Sequence, residues 1–462
     1  MKRSTHMVFL ALFEPKDLSH CSLAWSKPIV NAEKETTRPK PGLQSKKQKA
    51  KSVEYYNSSK IRAVRLKSGR SRDSIGRHPW ILDTSLVESV SPPRLGEQVD
   101  VLGSDGKWIS RGLYHPDSRI RVRVYAWSPD EWIDGELFNR RVAQCIRLRK
   151  QILSSDPQSE SLRWINSEGD HISGLVVDSF AGHLVVQVTA AVILPYIESI
   201  VSQLVGELAP LSVTLSVDQK TAKTEGIDPQ ERVIHGQVPS GPIEILENGL
   251  VWRVDLAHGQ KTGYYLDQRE NRLAAARWVP NQARVLDVCT YAGGFALTIA
   301  RVAQEKLAPG ESIVAVDSSS KALELARANA QANQIEGRVV WVQEDFFEAL
   351  SGRVDRGELY DMVILDPPKL AGARDKVPRA LAAYHRLNYL AIRCLRSEGI
   401  LVSCSCSGRV SRSEFVDVLL GAARRAGRDL QILENRGAAA DHPVNIHCPE
   451  TDYLKCIVAR VI

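Results

Sequence analysis

The sequence predicts an α/β fold in which a doubly wound sheet follows a small β-rich module and a central α+β region. Three observations predict it. After Gly249, apolar runs of parallel-strand type alternate with helical runs. Acidic residues stand at the ends of successive runs. Between Ile61 and Trp127, short β-rich runs are separated by turn signals without helical spacing.

Taken in order, residues 14–60 mix Lys, Pro, Ser, Gln and Glu with few large apolar groups, as in "KETTRPKPGLQSKKQKAKS". Such a segment cannot bury enough apolar surface to offset its ordering entropy, so residues 1–60 read as a disordered basic arm. Residues 61–128 hold "IRAVRL", "VDVLGSDGKWISRGLYH" with Asp105-Gly106 as a hairpin turn, and "IRVRVYAW", a β-barrel-like module. Residues 129–248 begin with a helix over about 130–153. They continue through "SLRWINSEGDHISGLVVDSFAGHLVVQVT" and end with a helix near 195–207 and the strand "LSVTLSV". From 249 to 462, "ARVLDVCT" passes through a Gly-Gly turn into "FALTIARVA", "SIVAVD" precedes "SSKALELARANAQAN", and "RVVWVQ" leads to "EDFFEAL". "LYDMVILD" runs into "PPK", a helix near 378–395 leads to "GILVSCSC", and "SEFVDVLLGAARRAG" is the next helix. In such a sheet, ligands bind outside the strand carboxyl ends.

Composition narrows the class. Over 462 residues, 43% hydrophobic and 25% charged content excludes a wholly disordered, fibrous or integral membrane chain. No run reaches the roughly 18–20 apolar residues of a membrane span, so no membrane partner is expected. Met7–Phe13 follows Lys2 and Arg3 but is at the lower limit for a signal core and lacks a small-residue cleavage site. A cytoplasmic location is expected. Eight Cys without regular spacing do not make a disulfide framework, and Cys404 and Cys406 form C-x-C, not a zinc-type C-x-x-C, so no metal is expected.

The net charge of +7 is uneven. Residues 1–60 hold 12 Lys+Arg against 5 Asp+Glu, and residues 61–127 hold 12 against 7, which leaves the remainder acidic. A basic front suits a polyanion as readily as it suits a solvated surface.

Three strand ends carry the chemistry. Asp287 begins "DVCTYAGGF", where Gly293 and Gly294 let backbone approach a ligand and Asp287 can accept from an amine or cation. Asp317 ends the second strand, where a carboxylate can take both hydroxyls of a ribose. Asp345 follows the third and could accept from an adenine amine. One such Asp is usually a cap; three in consecutive strand ends favour a nucleotide ligand. No G-x-G-x-x-G marks a dinucleotide, which disfavours a dehydrogenase. Asp366-Pro367-Pro368-Lys369 at the fourth strand adds a stiff loop that can face a flat polar ring, and together these features resemble class I S-adenosylmethionine-dependent methyltransferases, Rossmann-like in fold.

At the fifth strand, "SCSCSG" puts two thiols beside that loop. A thiolate there suits methylation at pyrimidine C5, a poor nucleophile until a thiolate adds at C6. Period-2 alternation puts Cys404 and Cys406 on one face and cannot choose between them.

From about Ile61 onward the chain resembles the bacterial large-subunit ribosomal RNA cytosine-C5 methyltransferase I family, through "SEGDHISGLVVD", "KTGYYLDQRENR", "LDVCTYAGGF", "LDPPK", "SCSG" and "AADHPV". The resemblance implies an N-terminal PUA domain, a central α+β domain and a methyltransferase domain that forms 5-methylcytosine in 23S ribosomal RNA. It places the nucleophile on Cys406 and the S-adenosyl-L-methionine contacts on Asp287, Gly293, Asp317, Asp345 and Asp366, with Gln268 and Arg269 beside them. Ribosomal RNA is the expected partner, and a homodimer is left open. Two departures stand out: the arm before Lys60 lies outside the family pattern, and in "PETDYLK" Lys455 occupies the place where related uracil-C5 enzymes carry a basic Glu. Asp366 is the remaining candidate for the proton acceptor. His442, in "ADHP", reads as a loop-positioning residue.

In the N-terminal module, Arg62, Arg65, Lys67, Arg70, Arg72 and Arg77 could meet phosphates, with His78, Pro79 and Trp80 as an aromatic face. The competing functions are methylation of a guanine nitrogen, which needs no thiol, and a non-catalytic RNA-binding assembly factor with a degenerate cofactor fold.

Overall fold

The computed structural model describes residues 61–71, 75–155, 159, 161–256 and 264–462. The reading of residues 1–60 as an arm, and of Arg72 as a phosphate contact, therefore lies outside the described residues.

The first sheet contains β1 (Arg62–Arg65), β2 (Trp80–Leu82), β3 (Gln98–Leu102), β4 (Trp108–Tyr114) and β5 (Ile120–Ala126), in the order β1-β3-β4-β5-β2. Gly106, at φ 82°, turns the chain between β3 and β4, as Asp105-Gly106 predicts. Val64, Val99, Val101, Ile109 and Val122 alternate inward to form its core.

Helix α1 (Gly135–Ser155) then leads into a second sheet of β6 (Ser161–Asn166), β7 (Leu175–Phe180), β8 (His183–Val188), β9 (Ser212–Val217) and β10 (Gln230–Gly236). Strands β8 and β9 are parallel, joined through α2 (Ile197–Leu208), and α3 (Gln219–Glu225) follows β9. The helical stretch Ala191–Leu208 has the length and apolarity of a bilayer span, which the composition reading did not anticipate. Here it carries Pro195 in its first turns and buries Ile197, Ile200, Val201 and Leu204 in the core of the second sheet.

Strands β11 (Ile243–Glu247) and β12 (Leu250–Val254) form a hairpin closed by Asn248-Gly249, both at positive φ (55° and 71°), a turn signal that the sequence reading passed over. The last sheet has seven strands: β13 (Val285–Val288), β14 (Ile313–Asp317), β15 (Val339–Gln343), β16 (Tyr360–Leu365), β17 (Leu395–Ser405), β18 (Leu430–Arg436) and β19 (Lys455–Val461). Their order is β15-β14-β13-β16-β17-β19-β18, and β19 runs opposite to the other six. Helices α4 (Arg269–Arg277), α5 (Gly294–Val302), α6 (Ser320–Ala332), α7 (Phe346–Asp355), α8 (Val377–Arg393) and α9 (Arg412–Ala426) are wound around it, with separate apolar cores on its two sides. This double cover is why its central strands read as continuous apolar runs. The chain moves outward from β13 to β15 and then returns to β16, so the switch point lies between β13 and β16.

Trp252 on β12 is fully buried against Tyr264 and anchors the hairpin to the core of the last sheet. Trp252→Ala should lower unfolding free energy by about 3–5 kcal/mol, read from urea denaturation; a loss below about 1 kcal/mol would show that the hairpin is not part of that core.

Candidate active site

At the switch point the turn after β13 is unusually contorted. Cys289 and Tyr291 adopt positive φ (65° and 50°) without being glycine, and Gly293 follows at 87°. Such conformations cost about 1–3 kcal/mol each and persist only where surroundings impose them. The surroundings here are carboxylates. Asp287 Oδ2 accepts from Thr290 Oγ1 (2.6 Å) and from the Ala296 amide (3.0 Å) in the first turn of α5. Asp317 Oδ2 accepts from the Tyr291 amide and its Oδ1 from the Ser319 amide, both at 2.9 Å.

Around this turn lies a cavity of about 940 Å³. Its wall takes Tyr265, Asp267, Gln268 and Arg272 from the segment leading into α4, Tyr291 and Asp317 from the switch point, and Phe346 from α7. Asp366, Pro367 and Cys406 come from the strand ends of β16 and β17, Tyr453 from the approach to β19, and Trp80 and Lys220 from the first two sheets.

Of the residues that sequence reasoning singled out, the structure brings together Gln268, Asp317, Asp366 and Cys406. Gln268 donates to Asp366 Oδ1 at 3.0 Å. The Asp366 carboxyl is pushed up to about 7 by burial and by the neighbouring Asp267 carboxylate. Cys406 Sγ stands 3.9 Å from the Pro367 carbonyl oxygen.

Four residues are placed differently from expectation. Asp287 is fully buried beneath the turn, pushed up to about 6 by burial, and shapes the wall through backbone without lining the cavity. Gly293 also stays behind the wall; a Cβ there would stand 2.9 Å from Leu297 and 3.1 Å from Trp341, so packing as well as φ requires glycine. Asp345 is exposed and caps α7, accepting from the Phe347 amide at 2.8 Å, while its neighbours Glu344 and Phe346 face the cavity. Arg269 corrects the cofactor expectation most clearly. Its buried guanidinium donates to the Ser161 carbonyl (3.2 Å) and pairs with Asp441 (3.3 Å), because a desolvated charge needs a partner more than an open cavity supplies.

The two thiols separate. Cys404, inside β17, is fully buried opposite Cys456 in the core, and its contact with that thiol, together with burial, pushes its pKa well up. Strand β17 ends at Ser405, so alternation does not extend to Cys406, which is half-buried at the cavity. Lys455 explains the loop. Its buried ammonium, lowered to about 8 by burial, donates to the carbonyls of Ser407 (2.8 Å), Val410 (2.8 Å) and Tyr453 (2.9 Å). All three protons are committed, which makes Lys455 a clamp and not a proton acceptor. His442 pairs with Asp441 away from the cavity, consistent with loop positioning.

Sequence reasoning missed Asp267, Arg272, Phe346 and Tyr453. Asp267 stands in the "LDQR" stretch, and Tyr453 donates to its Oδ2 at 2.6 Å. Arg272 gave no signal. It packs beneath Gly294, where a Cβ would meet its Nε at 2.8 Å, and that Nε and Asp287 Oδ1 are buried polar atoms without a hydrogen-bond partner among the described residues. A cavity of this volume, with acidic strand ends, an aromatic wall and an unsatisfied guanidinium nitrogen behind Gly294, fits a nucleoside carrying an amino-acid tail.

Among the described residues, the atoms His78 Nε2, Cys448 Sγ and Glu450 Oε2 lie within 4.8 Å of one another. The Trp80 amide donates to His78 Nδ1 at 3.1 Å, so the neutral ring carries its proton on Nε2 and donates it to Glu450 (3.1 Å). The cluster is a hydrogen-bonded latch whose imidazole turns no lone pair toward a cation.

Comparison with known proteins agrees with this geometry. Residues 233–444 match the family profile described as S-adenosylmethionine-dependent methyltransferase, and residues 64–127 match the PUA-like domain. Over 398 residues the chain is 36% identical to ribosomal RNA large subunit methyltransferase I of Escherichia coli O139:H28, covering 86% of this chain and 98% of the relative. The protein of the same name from Escherichia coli K12 matches equally. Among solved structures, the methyltransferase SMU.776 complexed with SAH superposes with a TM-score of 0.73 at 17% identity, over 87% of this chain and all of the other. A SAM-dependent methyltransferase from Streptococcus mutans gives 0.72 at 17% identity, again over 87% of this chain and all of the other, and both likenesses are of fold.

Asp366 links the site to stability. Its ordinary value is 3.8, and between that and about 7 the folded chain holds a proton that the unfolded chain releases, so stability falls as pH rises through that window. Asp366→Asn should therefore be more stable than wild type at about pH 8, by roughly 1.4 kcal/mol or more, with the difference gone below about pH 4. Parallel urea titrations at the two pH values check this; an equal or less stable variant at the higher pH would contradict the buried, raised carboxyl.

Proposed function

The chain belongs to the ribosomal RNA large subunit methyltransferase I family, and from that premise we propose that it forms 5-methylcytosine in 23S ribosomal RNA through a transient bond between Cys406 and the base. It is an S-adenosylmethionine-dependent methyltransferase with a PUA-like domain and a Rossmann-like catalytic fold. Ribosomal RNA as substrate rests on the relatives' name and on the PUA-like domain, and it supports a cytoplasmic location beside ribosomes.

One observation carries the carbon-methylation reading: of two thiols two residues apart, the one beyond the strand end stands in the cavity beside Asp366 and Pro367. A guanine-nitrogen methyltransferase would have no use for it. When bound, S-adenosylmethionine supplies an electrophilic methyl on a positively charged sulfur. Asp317 would hold the ribose hydroxyls, Phe346 would offer a flat apolar face to the adenine, and the unsatisfied Arg272 Nε suits a carboxylate tail. The Cys406 thiolate would form the S–C6 bond and move the C5=C6 electron pair to C5, which would take the methyl as the methyl–sulfur bond breaks and leaves its electron pair on the cofactor sulfur. The C5 proton then passes to the Asp366 carboxylate, and the pair left behind re-forms C5=C6 as the S–C6 bond breaks. With its pKa near 7, Asp366 is poised to accept a proton at neutral pH, and Gln268 orients it.

Three outcomes are expected. Asp317→Ala should weaken S-adenosylmethionine binding about tenfold or more by calorimetry, because the hydroxyls lose a charged acceptor; unchanged affinity would remove Asp317 from the site. Cys406→Ala should abolish methylation of ribosomal RNA while cofactor affinity holds, whereas Cys404→Ala should cost only packing. Methyl transfer surviving in Cys406→Ala would favour the guanine-nitrogen reading, and wild type that binds cofactor and RNA without methylating would favour the assembly factor. The wild-type rate should rise with pH through about 7 as Asp366 loses its proton, since only the carboxylate accepts; a flat profile from about pH 6 to 8 would assign proton removal elsewhere.

A further inference from the structure

Beside the methyl-transfer cavity lies a second compartment of about 710 Å³ that the methyl-transfer chemistry does not use. Five exposed cations face it: Arg70 after β1, Arg119 between β4 and β5, Lys220 in α3, Arg374 before α8 and Arg409 after β17. The trough's carboxylates are otherwise engaged. Asp218 caps α3, buried Glu225 meets Arg123, and Glu450 takes His78. Arg62, which sequence reasoning placed in the phosphate set, pairs with Glu97, and Arg65, Lys67 and Arg77 do not line the trough; of that set's described members only Arg70 does.

Trp80, Lys220, Arg409 and Glu450 line both compartments, so the trough and the cavity meet at Trp80. The indole is clamped from two sides. Its Nε1 donates to Glu168 Oε1 at 2.8 Å, and its own amide donates to His78 Nδ1 at 3.1 Å, while the His78 ring packs edge-on at 5.4 Å. A fixed aromatic surface between a row of exposed cations and a thiol-bearing cavity has a specific chemistry: bases stack on it while phosphates meet the cations.

We propose that the trough binds the backbone of an unpaired RNA segment and that Trp80 stacks the base next to the nucleotide entering the cavity. The proposal rests on the RNA methyltransferase reading and adds that the substrate is single-stranded at its target. A base inside a duplex reaches Cys406 only if it is unpaired and flipped out at an energetic cost, whereas a strand that lies in the trough and turns at Trp80 presents one base to the cavity without that cost. The cations stand on segments flanking the first, second and last sheets, so the trough reads the backbone only when those sheets are assembled.

The test uses the full chain and a fluorescently labelled, unstructured RNA oligonucleotide, with affinity measured by anisotropy across a salt series. Lys220→Ala/Arg374→Ala/Arg409→Ala should bind more weakly and should lower the slope of log affinity against log salt by about two, because three phosphates of a single strand are no longer neutralised. The equally discharged control Arg301→Ala/Lys321→Ala/Arg327→Ala, on exposed faces of α5 and α6, should keep the wild-type slope. Trp80→Leu should weaken binding about tenfold with the slope unchanged, and Trp80→Phe, which keeps a ring but loses the Glu168 bond, should recover most of it. An unaltered slope in the trough variant, or Trp80→Leu binding like wild type, would overturn the proposal. So would an affinity for polyglutamate that the same variants abolish while RNA binding holds, which would assign the trough to an acidic polypeptide. If wild type binds RNA as described but methylates no ribosomal RNA, the function reading fails and the trough stands; if wild type methylates and the trough variants do so with unchanged KM, the trough fails alone.

Discussion

The site depends on one buried carboxylate. Asp441 is fully buried, and although burial drives its pKa up, His442, Arg269 and the Arg163 amide together hold it well below the usual carboxylate range. Its Oδ2 accepts from the Arg163 amide in β6 (2.9 Å), its carboxylate pairs with Arg269 in α4, and its carbonyl accepts from Arg149 in α1 (2.8 Å). Arg149 in turn holds Asp170 through two bonds of 2.7 Å. Removing one member of such a node strands an unpaired charge in a dry interior, at about 3–5 kcal/mol. The node therefore forces the second and last sheets into a single register. Around it, the Asn166 amide reaches the Pro443 carbonyl, Asn445 reaches the Glu168 carbonyl, and Glu450 reaches His78 of the first sheet. One C-terminal segment thus ties three sheets together by polar contacts, which demand a single geometry where an apolar seam would allow sliding.

That register is what makes the cavity chemically composite. The last sheet alone supplies the strained switch-point turn, Asp317, Asp366 and Cys406, all at strand carboxyl ends. Trp80 and Lys220 reach the same space only because the polar seam holds their sheets there. At the cavity and at the seam behind it, burial is put to opposite uses. It raises Asp366 to about 7, where a carboxylate can exchange a proton at neutral pH, whereas at Asp441 partners overcome it to keep a permanent charge. The difference lies in the neighbours: another carboxylate, Asp267, beside the first, and a guanidinium and an imidazole beside the second.

The fold was legible because its determinants are local. Apolar runs such as Val285–Val288 and Tyr360–Leu365 are covered on both faces and show it in the sequence, and Asp105-Gly106 announces its hairpin. Site residues were legible where a strand end places them, as with Asp317 and Asp366. They were misplaced where one residue of helix rotation decides the outcome. Gln268 and Arg269 are adjacent, but about 100° of rotation at the start of α4 sends one to Asp366 and the other to Asp441. Asp345 obeyed the commoner rule for an Asp before a helix and became its cap. The trough was not legible, because Arg70, Lys220, Arg374 and Arg409 are far apart in sequence and only the polar seam assembles them.

The choice between the two thiols shows where pattern reasoning ends. Alternation predicts a shared face only while a strand continues, and β17 stops at Ser405 because Lys455 draws the next carbonyls, of Ser407 and Val410, onto its ammonium. Ser407 is held from its other side as well, with its hydroxyl taking the Ala371 amide (3.1 Å) and meeting the Tyr384 hydroxyl (3.0 Å). A residue pinned at both its carbonyl and its side chain leaves the preceding Cys406 little freedom, and the thiol is set at the cavity instead of in the core with Cys404. The lysine that stands where related enzymes carry a basic glutamate thus has a structural reason to be there. Its three protons are spent on fixing the loop, and Asp366, the proton acceptor in the proposed reaction, is the cavity carboxylate whose surroundings bring its pKa to about 7.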